Sequence, residues 1–150
     1  MKHPFILIFL FFIGSFAVKS QNMDLEFIRS NYENAVKDKE LCRGMMDALT
    51  AEKDEPVYLA YLSGLQTLWA NHTINPIAKW DTFKKGTTNL DRAVTMAPNN
   101  LEIRFIRLSV QKNAPRFLGY YKEIETDEAV IEHYKDEIES LSLLRLINKI

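Results

Sequence analysis

Arg104, Arg107 and Gln111 recur at steps of three and four residues, the spacing that aligns side chains on one face of a helix. At 100° per residue, Leu101, Phe105 and Leu108 form one apolar side of that helix. Ile103, Ile106 and Val110 form a second. The two arginines and the glutamine fall in the gap between them. A guanidinium offers a planar fork of donors that grips a carboxylate with two parallel bonds. The stripe is therefore suited to carboxylate recognition. Its partner is either an acid of the same chain, such as Glu123 or Glu125, or an acidic group from outside. Tyr120 and Tyr121 follow closely enough to join the same contact face.

Other residues that could do chemistry lack a supporting pattern. Beyond residue 20 the histidines are His72 and His133, and no His-Glu-x-x-His arrangement occurs. A zinc site needs three or four ligands, so no metal site is expected. Cys42 is the single cysteine. It reads as a small buried apolar residue, with an intermolecular disulfide as the alternative in an oxidising compartment. There is no Gly-x-Ser-x-Gly elbow, Walker loop or dinucleotide fingerprint, and no cofactor is expected. Residues 122–139 hold eight acids and two bases. A local acidic run of this kind is usually a solvated face. A hydrolytic pair would need two carboxylates across a cleft with separated proton affinities. A noncatalytic protein is the expectation.

The elements that must position these residues can be read from the rest of the chain. It has 150 residues and a formal net charge of −1, enough for one domain. Met1-Lys2-His3 is a short cationic start, and Phe5 to Ala17 is apolar apart from Gly14 and Ser15. A stable membrane helix needs about 20 apolar residues. The stretch fits instead the core of a secretory signal peptide over residues 1–20, cut before Gln21. Export to a periplasmic or extracellular location follows, with no stable membrane insertion after cleavage. Residues 21–150 hold 17 basic and 20 acidic side chains. That balance is too acidic for nonspecific nucleic-acid binding, and the composition is too apolar for a disordered chain.

Pro56, Pro76, Pro98 and Pro115 lie 20, 22 and 17 residues apart. Proline is tolerated at a helix start or after its end. The spacing predicts helices of four to five turns with proline as punctuation. Turn pairs such as Asn-Gly and Asp-Gly are missing, which argues against hairpins. The predicted fold is all-α, with six to seven helices in a single domain over residues 21–150. Their expected spans are Asp24–Val36, Lys39–Ala51, Glu55–Asn71, Asn75–Met96, Leu101–Lys112, a helix capped by Thr126, and Leu141–Ile150. Residues 56–78 carry no charge, so the third helix belongs at the centre. Gly64 within it costs about 1 kcal/mol against alanine, which close approach of a neighbour would offset. Ile77, Trp80, Phe83, Leu90, Val94 and Ala97 form one stripe on the fourth helix.

Asn89 to Asn100 resembles the end of a tetratricopeptide repeat. In that family the second helix closes with a small residue, an aliphatic pair and a proline before a polar turn. Ala93 and Pro98 match those positions, Leu90 matches the large apolar one, and Gly86 a small one. Gly64 is similar to the small packing residue of the family's first helix, about ten residues farther upstream than the repeat places it. The likeness covers residues 56–110. It implies stacked antiparallel helical hairpins and, by analogy, binding of another protein or peptide. The whole chain also resembles small exported bacterial proteins, a likeness that supplies no residue roles.

The leading expectation is an exported protein-interaction or assembly module with Arg104, Arg107, Gln111, Tyr120 and Tyr121 as its contact face. The alternative is a helical pocket for a small apolar or anionic ligand, built around Tyr58, Tyr61, Trp69, Trp80 and Phe83.

Overall fold

The computed structural model describes residues 23–150. The proposed signal peptide and its cleavage point lie outside them. The described residues form seven α-helices and four short 3-10 turns, with no strand among them. The helices are α1 (Leu25–Asn31), α2 (Lys39–Thr50), α3 (Pro56–Trp69), α4 (Pro76–Met96), α5 (Leu101–Asn113), α6 (Ile124–Tyr134) and α7 (Leu141–Ile147). The fold is all-α, as the sequence predicts. No helix among the described residues is long and apolar enough to cross a membrane.

Proline sets the boundaries. The ring of a proline disfavours helical backbone in the residue before it. Glu55, Asn75 and Ala114 are accordingly extended, and Ala97 leaves the helical region. Side-chain caps complete the starts. Asn75 Oδ1 accepts from the amides of Ile77 and Ala78 at 2.9 and 3.2 Å, and Asn100 Oδ1 accepts from Ile103 N at 3.1 Å. Asp24, Asp38 and Ser140 cap α1, α2 and α7 in the same way. Each removes one orphan donor from the first turn.

Four boundaries differ from expectation by two or more residues. The third helix stops at Trp69 rather than Asn71, and the last stops at Ile147 rather than Ile150. The first helix ends at Asn31, and a 3-10 turn over Asn34–Val36 replaces its last stretch. The sixth begins at Ile124, so Thr126 lies inside the first turn rather than at its cap. The amide of Glu123 is instead taken by Gln111 Oε1 at 2.9 Å, which anchors the start of α6 to α5.

Uncharged α3 is central, with Leu59 to Leu65 all buried. It packs on α2, α4 and α5. Two glycines set the approach distances. A methyl group on Gly64 would lie 2.1 Å from the Tyr32 hydroxyl and 2.9 Å from Ile106. On Gly86 it would lie 2.8 Å from the carbonyl oxygen of Ser63 and 2.9 Å from the Thr67 amide. The expected close approach at Gly64 is present, and Gly86 supplies the tighter backbone contact between α3 and α4. Helix α5 is as central as α3: ten of its 13 residues are buried. The sequence leaves one side of α5 open, and α6 covers it.

Candidate functional site

The arginine stripe meets a carboxylate from its own chain. Asp127 on α6 is fully buried. Its Oδ1 accepts from Arg104 Nη1 at 2.9 Å and from Arg107 Nη2 at 2.6 Å. Its Oδ2 accepts from Arg107 Nε at 2.8 Å and from Gln111 Nε2 at 2.7 Å. Arg104 also donates to the carbonyl of Pro98 at 2.7 Å. Burial alone would lower the proton affinity of Arg107, but its bonds and charge attraction to Asp127 outweigh that and raise it. All three stripe residues are buried. The face that could have received an external acid is filled from within.

Tyr120 reaches this node through Asp91, whose Oδ1 lies 3.6 Å from Arg107 Nη1, whereas Tyr121 stands apart. The Tyr120 hydroxyl donates to Asp91 Oδ1 at 2.8 Å, and its ring meets Phe83 edge-on. Burial, then the charge of Asp91, raises its proton affinity. Tyr121 is exposed beneath the guanidinium of Arg116, 4.9 Å from the ring centre. Of the two acids named as internal partners, Glu123 comes within 4.0 Å of Arg107 and stays half exposed.

A second buried node was not signalled in the sequence. Glu102 on α5 accepts from Nε and Nη2 of Arg29, both at 2.7 Å, and from the Tyr61 hydroxyl at 2.6 Å. These bonds tie α1, α3 and α5 together. Burial, then the neighbouring carboxylate, raises the proton affinity of Tyr61. Among the described residues no buried side-chain nitrogen or oxygen lacks a partner. The buried atoms of both nodes are paired within the chain, as structural ties require.

Cys42 lies fully buried under the carbonyl of Leu65. Burial pushes its thiol up to about 11, and no surface remains for an intermolecular disulfide. His72 bonds to the carbonyl of Ala35 at 3.0 Å. Among the described residues no three His, Cys, Asp or Glu side chains are grouped to hold a metal ion.

The exposed feature of interest is a groove of about 950 Å³ at one end of the helical array. It lies where α4 begins and α5 ends, beside the 34–36 turn and the last residues of the chain. Phe105, Val110, Leu68 and Leu146 contribute to its apolar lining, and Trp80 and Phe83 enter it from α4. The apolar stripe of α4 explains why it is there. From Leu90 to Val94 the stripe is buried, but Ile77 is 74 % and Trp80 48 % exposed. The stripe runs past the core, and Phe117, 86 % exposed, stands on the turn after α5 at the same groove. Exposed apolar side chains gathered at one groove, here Trp80 and Phe117, mark a contact surface.

Of the five aromatics named for a pocket, Trp80 and Phe83 line this groove. Tyr61 is committed to Glu102, and Trp69 packs against Lys39 and Arg43 of α2. No protein-family model, curated protein or solved structure matches this chain.

Proposed function

We propose that the protein is an exported, noncatalytic helical module that binds another protein or peptide through the groove between α4 and α5. The observation that carries this reading is exposed Trp80, on the α4 stripe, and exposed Phe117, which line the same groove. A helix whose apolar stripe outruns its own core has surface that water penalises and a partner would cover. The apolar start of the chain supports export. The tetratricopeptide-like signature at Gly86, Ala93 and Pro98 supports a stacked-hairpin scaffold, and scaffolds of that type commonly serve binding.

Site-specific photo-crosslinking in the native host tests the module. A crosslinker at Phe117 or Trp80 is expected to capture a discrete polypeptide that one at Glu132, on the outer face of α6, does not. Equal capture at all three positions, or none at the groove, overturns the reading. An N-terminus measured at Gln21 supports export, and an intact Met1 in the accumulated protein overturns it.

A second reading is a site for a small apolar or anionic ligand. The groove volume falls at the upper end of the range for such sites, roughly 300–1,000 Å³. Native mass spectrometry of protein taken from its own host separates the two. A retained small molecule favours the pocket, and a retained polypeptide the module.

A further inference from the structure

The groove has a charge pattern as well as an apolar floor. Lys37 precedes α2 and Lys79 lies in the first turns of α4, and both line it. Among the described residues neither forms an ion pair. The single acidic side chain on the lining, Glu33, is paired with Lys149. The carbonyl oxygen of Ile150, also at the groove, accepts from Lys112 at 3.2 Å. The lining therefore presents two uncommitted cations and no uncommitted acidic side chain.

The walls limit the shape of an occupant. Helix α4 contributes Pro76, Lys79 or Trp80, and Phe83, at helical steps. Helix α5 contributes Phe105, Ser109 and Asn113 at steps of four. At 1.5 Å per residue each wall is about 10–12 Å long, or two helical turns. There is no strand among the described residues whose edge could pair with an extended peptide. An extended occupant would leave the backbone groups that face Trp80, Phe83, Phe105 and Val110 unpaired, at a cost in unmade hydrogen bonds. A helix satisfies those groups internally.

We infer that the groove takes about two turns of an amphipathic helix from a partner protein, apolar on its docking face and acidic on its flanks. This rests on the reading of the groove as a protein-binding surface. The chain's own exposed helices do not fit the description. The outer face of α6 shows Glu125, Glu128 and Glu132 with Ala129 as their small apolar neighbour, and exposed Leu141 and Leu144 of α7 flank Arg145.

Two stapled helical peptides with one Leu stripe test the inference, one flanked by Glu and one by Lys. Each is titrated into the purified protein while backbone amide shifts are followed. The Glu peptide is expected to shift Lys79, Trp80 and Phe117 and to bind at least about fivefold more tightly than the Lys peptide. In the Lys37→Glu, Lys79→Glu double variant, altered only at exposed positions, the order is expected to reverse. Equal binding of both peptides in the groove overturns the acidic-flank inference and leaves the interaction-module reading standing. Groove shifts with oleate but neither peptide overturn both in favour of a small amphiphile. Self-association that Phe117→Ser abolishes, with neither peptide binding, makes a second copy the occupant and overturns the inference.

Discussion

Asp127 is the residue that most changes the meaning of the sequence. Four donors converge on one carboxylate that has no exposure. Removing one partner of such a node leaves buried charge without compensation, which typically costs about 3–5 kcal/mol. Asp127→Ala is expected to lose that amount in urea unfolding, and a loss below about 1 kcal/mol would mean that water replaces the carboxylate. The signal for Asp127 was present. Ile124, Asp127, Ile131 and Tyr134 follow steps of three, four and three, so this single acid stands on the apolar stripe of α6. Its neighbours Glu125 and Glu128 point outward and fit the solvated-face reading. Glu102 carried less warning, because an acid in the first turn of a helix is ordinary. Cys42 makes a separate prediction. Its thiol is raised from an ordinary value near 9 to about 11, so the folded state favours the protonated form. The corresponding stability is full below about pH 9 and is lost as pH rises toward 11. Thiol reagents at pH 8 are expected to label Cys42 in denaturant and to leave the folded protein unmodified.

At the scale of elements, the prolines made most boundaries legible because their effect is local. A ring that removes one donor and restricts the preceding residue acts the same way in any fold. The predicted fourth helix is observed from Pro76 to Met96, and the fifth runs one residue past its expected end. The start of α6 was displaced because its anchor is Gln111, twelve residues upstream and on another helix. Thr126→Ala is accordingly expected to change stability by less than about 0.5 kcal/mol, the range of an ordinary surface substitution. Gly86→Ala decides between propensity and packing. Alanine gains about 1 kcal/mol of helix preference, but its methyl would press on the α3 backbone, which has no rotamer to yield. Overpacking of this kind costs about 1–3 kcal/mol. A net loss in thermal unfolding is expected, and a gain would show that α3 and α4 can separate freely.

For the molecule as a whole, near-neutrality conceals two poles. Residues 72–121 hold eight bases and three acids, and residues 122–139 hold eight acids and two bases. The poles meet across α5 and α6 through Arg104, Arg107 and Lys112 on one side and Asp127 and Glu128 on the other. A chain ending at Lys122 would leave Arg104 and Arg107 without Asp127 and strip α5 of its third cover. Such a chain is expected to show no cooperative unfolding transition by circular dichroism. The sequence by itself determined the helical class, the boundaries that proline sets and the centrality of α3. Those properties follow from backbone restriction and hydrophobic periodicity, which act over a few residues. Tertiary structure alone decided what the arginine stripe binds and which end of the α4 stripe stays exposed. Both depend on which helix lies against which, and an arginine facing a carboxylate 20 residues away in sequence has the same local signature as one facing solvent.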